Sequence, residues 1–406
     1  MAPLTAVVVP FFDQQSQLDL LLTALELQSV GPDAFEVVVA DDGSPARAVL
    51  SDRPYAIRAV RQENLGFRAS AARDLGARAT DAEVICFLDC DTVPEPDYLR
   101  TMTDVIRQGD KRCGVVAVGR RRHADLTGWE PARLRAWLRG DSAPPTPLTE
   151  PSWLREGYRA TENLRYADDR SYRFVISAVL GMTRRTYLRA GGFDPGFVGY
   201  GGEDWDLANR CWLSGCDLRH VPDAVAWHDG PDFADRSTEH TAVKDRETLQ
   251  LARVLTDPMA RGSGFMWPYP ATVVRVHGHH DIGPLAASCS NWLAGGDVAL
   301  WFVDRPRVPT QLPPDPRLHH GAPSNQVLQR CRYQVDVYAP LALSAPLPRL
   351  IPDGGLDVRI GTEIVARVRH TRLINRGAGN APAAVVDGRL LDDSVTLESR
   401  WGGWDK

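Results

Sequence analysis

"EVICFLDCDTVPEPDYL", residues 83–99, is the stretch on which the fold is read. Its apolar half reads as a buried strand. The strand stops at two aspartates, Asp89 and Asp91, one residue apart, and a proline-bearing turn follows. Paired carboxylates with no basic neighbour in sequence suit either a solvated strand end or a site where both face a cation that arrives with a ligand. Working outward, "LTAVVV" (4–9) reads as another buried strand, ended by Pro10. Residues 16–29 carry Leu18, Leu21, Leu22 and Leu25 at helical spacing. "FEVVVA" (35–40) makes a further strand that runs into "DDGS", and residues 56–61 a short third one. Continuously apolar strands alternating with helices predict a mostly parallel α/β sheet. Ligands of such sheets bind beyond the carboxyl ends of the strands. Pro10–Phe12, Asp41–Asp42 and Asp89–Asp91 are therefore expected on one rim.

Further along, 96–107 reads as a helix and "CGVVAVG" (113–119) as a strand. Residues 120–170, rich in Arg, Trp and Pro, read as a long insertion or lid. A helix is expected from about Asp204 to Leu213, with Gly215 as its stop signal, and another over 240–257. "GSGFMWPYP" (262–270) looks like a connector. Beyond it, residues 271–304 repeat the order strand, polar loop, helix, strand and end in Asp304, which suggests a degenerate half-repeat of the first β-α-β unit. The expected division is a domain over 1–258, with the 120–170 insertion, and a C-terminal α/β domain over 259–406. "HGHHD" (277–281) and His319–His320 lack spaced partners and read as polar loops rather than metal sites.

The 406 residues are 43% hydrophobic and 24% charged, enough for two or three packed domains. A net charge of −5 argues against nucleic-acid binding by bulk electrostatics. Seven cysteines, an odd count with no CxxC pair, suggest neither a disulfide framework nor structural zinc. No leader-like start and no apolar run of transmembrane length are read, so a cytoplasmic protein is expected.

"VVVPFF", "DDGS", "NLGFRASAARDLG", "FLDCDTVPEPDYL", "AGGFD", "GYGGEDWDL" and "AWH" stand here in the order seen in family 2-type inverting glycosyltransferases. Over residues 4–230 the chain resembles that family, and the "GYGGEDWDL" block is most similar to its galactosyltransferase and chondroitin-polymerase branches. The resemblance implies a GT-A fold, a UDP-sugar donor (galactose, N-acetylgalactosamine or N-acetylglucosamine type) and Mn²⁺ or Mg²⁺.

Residue by residue, the resemblance implies that Asp89 lies toward the ribose and that Asp91 and His228 ligate the metal. A mixed carboxylate–imidazole shell suits Mn²⁺ better than Mg²⁺. Asp42 is expected to accept the uracil imide N–H, with Asp41 structural. Pro10 and Phe11 would flank the base, and Asn64 and Gly66 belong to the nucleotide loop. Arg68 could meet a phosphate. Arg73 lines the nucleotide or pairs with a rim aspartate. Asp204 is the expected base that takes the acceptor's proton, and Glu203 is expected to support acceptor or donor hydroxyls. Both acids sit at a helix start, where capping is the competing explanation. Gly192 would lie beside the donor sugar, and Trp205 either stacks on a sugar or packs. Asp74 stands where an Asn is common.

The acceptor is left open: a hydroxyl of a small molecule, peptide or glycan, or a thiol, with the 120–170 insertion on the acceptor side. The C-terminal domain could recognise the acceptor, pair two protomers as a homodimer, or dock a partner. A nucleotidyltransferase would need a Gly-rich loop after the first strand, where this chain has "PFFDQQ". A non-catalytic sugar-nucleotide or glycan-binding protein would be expected to lose Asp91, Asp204 and His228, and all three are present.

Overall fold

A computed structural model describes residues 3–109, 112–199, 201–231, 241–343, 355–379, 384–387 and 389–402. The chain divides into two units, residues 1–212 with 216–250 and residues 213–215 with 251–406.

The N-terminal unit begins with β1 (Thr5–Phe11), α1 (Gln15–Leu25), β2 (Phe35–Asp41), β3 (Ala56–Arg61), α2 (Ala69–Arg78) and β4 (Val84–Leu88). β1 pairs in parallel with β2 on one side and β4 on the other, and β3 extends β2 at the edge. Val7–Val9, Val37–Val39 and Ile85–Leu88 are fully buried, because helices cover both faces of these strands. Leu18, Leu21, Leu22 and Leu25 form the buried stripe of α1, each contributing roughly 1.5–3 kcal/mol of apolar burial. This half has the parallel α/β order expected from the sequence.

The second half of the sheet is mixed. After β5 (Thr92–Pro94) and α3 (Tyr98–Gln108) comes β6 (Val115–Asp125), then α4 (Pro131–Leu138), β7 (Thr146–Leu148) and α5 (Ser152–Ala160). β8 (Val179–Thr183), α6 (Arg184–Arg189), α7 (Glu203–Leu213), β9 (Asp217–Asp229) and α8 (Thr241–Val254) complete the unit. The sheet order is β3-β2-β1-β4-β8-β6-β9-β5, with β7 on β6. β8 runs antiparallel between β4 and β6, and β9 lies parallel to β6.

β6 differs from the reading in which a lid opens at residue 120. Its polar end, Arg120–Ala124, stays in the sheet because Val225–Asp229 of β9 pairs with it residue for residue. Tyr200 of the "GYGGEDWDL" block lies outside the described residues.

The C-terminal unit contains β10 (Thr272–Val276), α9 (Ile282–Leu293), β11 (Val298–Phe302), β12 (Leu318–His320), α10 (Asn325–Arg330), β13 (Tyr333–Val337), β14 (Leu341–Ala342), β15 (Gly355–Ile360), β16 (Glu363–His370), β17 (Ala384–Asp387) and β18 (Arg389–Leu390). Its main sheet has the order β12-β11-β10-β13-β16-β15-β17, and β14 and β18 form a separate ribbon. Val274, Leu285, Trp292, Leu300, Phe302, Val335, Leu356 and Val368 build its core. No helix among the described residues is long and apolar enough to cross a membrane.

Candidate active site

The carboxyl ends of β1, β2 and β4 meet the start of α7 and the end of β9 in the N-terminal unit. Arg73, on α2, joins them. Its side chain is only 4% exposed, with Nη2 2.5 Å from Asp89 Oδ1 and Nη1 2.9 Å from Glu203 Oε1. One guanidinium thus spans two acids far apart in sequence, each held by a different nitrogen of its planar fork. Of the two roles open for Arg73, the rim-aspartate pairing is the one found.

Asp91 reaches His228, with Oδ2 3.4 Å from Nε2. Thr92 of β5 pairs with His228 of β9, so the ladder sets this approach. Burial disfavours the Asp91 carboxylate, but the imidazole beside it and Arg121 hold its pKa below the usual value. For His228, burial works toward a lower pKa, and Asp91 outweighs it and raises the value. His228 Nδ1 is 3.4 Å from the carbonyl of Gly230. A carbonyl only accepts, so this contact assigns a proton to Nδ1, and the raised pKa means that Nε2 can carry a second proton donated to Asp91, the position a cation would take in its place. The pair thus presents one carboxylate and one imidazole nitrogen at the same point. Among the described residues no group of three or more His, Cys, Asp or Glu could hold a metal. A cation here would take its remaining ligands from substrate and water, which is how open catalytic sites are built.

Glu203 and Asp204 are the first two residues of α7. Asp204 is half-buried, its Oδ1 accepting from Trp205 N at 2.8 Å and its Oδ2 from Ser177 N at 3.4 Å. Burial, and then the neighbouring charge of Glu203, push its carboxyl up to about 7 against the pull of Arg73 and these N–H groups. A helix start favours ionised acids, so capping alone predicts the opposite shift. Gly201 and Gly202 have φ of +92° and +91°, open to glycine at little cost. A Cβ on Gly201 would lie 2.5 Å from Glu247 Oε1. The close neighbour of that glycine is therefore an α8 side chain.

Asp42 is 5% exposed and holds the loop after β3, accepting from Gln62 Nε2 at 2.6 Å and from Arg68 N at 2.7 Å. Asp41 accepts from Arg61 and Ser44 N, the structural role read from sequence. The Arg68 guanidinium bonds the Glu63 carbonyl. Asn64 caps its own turn by accepting from Gly66 N at 3.0 Å. Pro10 and Phe11 end β1, where Phe11 O accepts from Asp42 N. Gly192 (φ +74°) packs where a Cβ would lie 2.6 Å from Asp74 Oδ1 and 3.0 Å from the Tyr187 ring. Asp74 accepts from the Tyr187 hydroxyl at 2.8 Å, and that hydroxyl accepts from Phe193 N. Asp74 thereby anchors the "GGF" turn. Trp205 meets the edge of Tyr172 with centroids 6.1 Å apart. Trp137 packs between Trp129 and Trp227.

Two neighbours of the site escaped the sequence reading. Arg121 bears electrostatically on Asp91, and the His123 ring lies 5.0 Å from that of His228. His123 Nδ1 lies 3.0 Å from the same Gly230 carbonyl. The signal for both was the i, i+2 spacing on β6, visible only once 120–125 is known to be strand.

Residues 6–172 match the family model described as glycosyl transferase family 2, and residues 158–228 that described as N-terminal domain of galactosyltransferase. Over 262 residues the chain is 28% identical to a chondroitin synthase of Escherichia coli, covering 61% of this chain and 37% of that protein. It is 28% identical over 237 residues to a validoxylamine A glucosyltransferase of Streptomyces hygroscopicus subsp. limoneus, covering 53% of this chain and 49% of the relative. The chain thus spans under half the length of either relative. A crystal structure of GalNAc-T7 with UDP, GalNAc and Mn²⁺ is 16% identical over 63% of this chain and 49% of that one, with a TM-score of 0.42.

Proposed function

We propose that the N-terminal unit, whose residues 6–172 match the glycosyl transferase family 2 model, is a glycosyltransferase of that family, and that it transfers a hexose or N-acetylhexosamine from a UDP-sugar to an acceptor hydroxyl, with inversion and with a divalent cation. The observation that carries this reading is the convergence at one rim of Asp89, Asp91, Glu203, Asp204 and His228, drawn from three segments of the chain.

Asp91 and His228 would hold the cation, and their mixed oxygen–nitrogen set favours Mn²⁺ over Mg²⁺. When bound, the cation supplies Lewis-acid stabilisation of the departing diphosphate, worth several kcal/mol. Arg73 fixes the Asp89 carboxylate through one oxygen and leaves the other for a ribose hydroxyl. Asp42 keeps the loop over 62–68 in place and has lone pairs left for the uracil imide. Asp204 takes the proton of the acceptor hydroxyl as its oxygen bonds the anomeric carbon. The bond from that carbon to the phosphate oxygen breaks on the opposite face, and UDP leaves with the electron pair. A base with a pKa near 7 is matched to work at neutral pH, and such a base contributes about 10²–10⁴-fold. Glu203 sustains that pKa through its charge. Trp205, edged by Tyr172, offers a platform for the acceptor.

The test is a calorimetric titration of UDP with and without Mn²⁺, repeated on Asp91→Asn. Tight binding only with Mn²⁺, with the gain lost in the variant, is the expected result. Binding that ignores the metal refutes the leaving-group role of Asp91.

A further inference from the structure

The two sheets share one plan. In the N-terminal unit β3-β2-β1-β4 are parallel, β8 is antiparallel, and β6 and β9 are parallel again. In the C-terminal unit β12-β11-β10-β13 are parallel, β16 is antiparallel, and β15 and β17 are parallel to β13. Chain order agrees at every strand of this path: β6, β8 and β9 come in the sequence of β15, β16 and β17. A short helix follows the antiparallel strand directly in both, Arg184–Arg189 after β8 and Thr371–Asn375 after β16. A single β-α-β unit recurs by chance in many folds. Seven strands in one order and one set of directions is a much narrower match.

Pairing register transfers positions between the units. Thr5 pairs with Val84 and Phe35 in one, and Thr272 pairs with Tyr333 and Val298 in the other. Carried along the strands, Pro10 corresponds to His277, Asp41 to Asp304 and Asp42 to Arg305. Asp89 corresponds to Tyr338, and Asp91 to Pro340. Residues 376–383, "RGAGNAPA", are all that links the short helix to β17, against 190–216 in the N-terminal unit. They contain no acid and leave no room for a counterpart of the 11-residue α7.

In place of the lost acids stands a different cluster, at the crevice between β10 and β13. There the connections leave β10 and β13 in opposite directions, the position at which open α/β sheets take ligands. His277 Nε2 lies 2.7 Å from Asp336 Oδ1, and His277 Nδ1 lies 3.9 Å from Asp304 Oδ2. Arg275 Nη2 bonds the other Asp336 oxygen at 2.8 Å. Asp304 also accepts from Gly278 N at 2.7 Å. The ring of Tyr338, 41% exposed, lies nearly flat on His277, with centroids 5.1 Å apart and planes 28° apart. Arg275 pairs with Asp336, and Arg305, next to Asp304 in the chain, reaches the His280 carbonyl, so the cluster holds as many guanidiniums as carboxylates and favours neither a diphosphate nor a polycation. Carboxylates and an imidazole that can bridge neighbouring hydroxyls, beside an exposed aromatic face for C–H groups, suit a neutral sugar ring.

We infer that the C-terminal unit is a second copy of the N-terminal fold that lacks the metal, diphosphate and base positions, and that its crevice between β10 and β13 binds a neutral sugar. Naming the lost positions rests on the transferase reading; the crevice and its cluster do not. The experiment uses the full chain carrying Asp204→Asn, without nucleotide or metal. Saturation-transfer NMR is run with the methyl glycosides of glucose, galactose, mannose, N-acetylglucosamine and N-acetylgalactosamine. Transfer to at least one glycoside is expected. Tyr338→Ala and, independently, Asp304→Asn should weaken it about tenfold, with far-UV spectrum and Tm unchanged. Asp91→Asn should leave it intact. The inference is overturned if no glycoside receives transfer, if either folded variant binds as before, or if Asp91→Asn removes the signal. A failed transferase reading would show instead as absent UDP binding, with the glycoside signal untouched.

Discussion

Removing the Asp204 charge is expected to change rate and stability in opposite directions, and both follow from one carboxyl held at about 7. As a base, Asp204 works only when ionised. In the free enzyme kcat/KM should fall as pH drops through 7, about tenfold below its plateau at pH 6. Asp204→Asn should lower the plateau about 10²–10⁴-fold and abolish this limb. Glu203→Gln removes the neighbouring charge that is the second cause of the shift, so its limb should move to lower pH. Stability runs the other way. The unfolded carboxyl ionises near 3.9, so between about pH 4 and 7 the folded state keeps a proton that the unfolded state has shed. The native state therefore carries no penalty below pH 4 and a full one above pH 7. Three units correspond to about 4 kcal/mol, an upper bound for a half-buried group. Asp204→Asn should accordingly be more stable than wild type in urea at pH 8, and equal to it at pH 4. A wild-type rate flat from pH 5 to 8, or a variant that gains no stability at pH 8, refutes the assignment.

Arg73→Met strands Asp89 and Glu203 without their shared cation and should cost about 3–5 kcal/mol in urea unfolding. Arg73→Lys restores charge but not the fork, so its UDP-dependent activity should stay well below wild type even where the fold recovers. Gly192→Ala places a Cβ against Asp74 and Tyr187 at a positive φ and should destabilise by about 1–3 kcal/mol, read as a lowered Tm. His123→Phe keeps a ring beside His228 but loses the second donor near the Gly230 carbonyl. It should weaken Mn²⁺-dependent UDP binding about 10–100-fold by calorimetry, with metal-free binding unchanged.

What the sequence made legible follows from where the apolar pattern is dense. β1, β2 and β4 are buried on both faces, so "LTAVVV", "FEVVVA" and "EVICFL" are continuous and their ends unambiguous. Asp41, Asp42, Asp89 and Asp91 could be placed on one rim from those ends alone. Asp91 with His228, and Asp204 as a base, needed the family resemblance, because β9 and α7 are distant in sequence from β4. Arg73 was left with two roles because the choice depends on Glu203, 130 residues away.

The stretch read least well, 120–125, shows why pattern fails beside the candidate site. "RRRHAD" has no apolar alternation, yet it is strand, because its register partner on β9 satisfies the backbone and each side chain has a task. Arg120 and Arg122 both reach Glu150, Arg122 also lies over the Trp227 ring, and Arg121 and His123 bear on Asp91 and His228. The period of two is intact, but it alternates one polar surface with another, so a test for apolar residues cannot see it. The same reasoning explains why "HGHHD" read as a mere polar loop. His277 acquires its partners only when β10 and β13 set Asp336 and Tyr338 beside it. In both units these polar clusters gather where strands end, and there the sequence carries the weakest folding signal, since those side chains pair with one another across strands rather than fill the core.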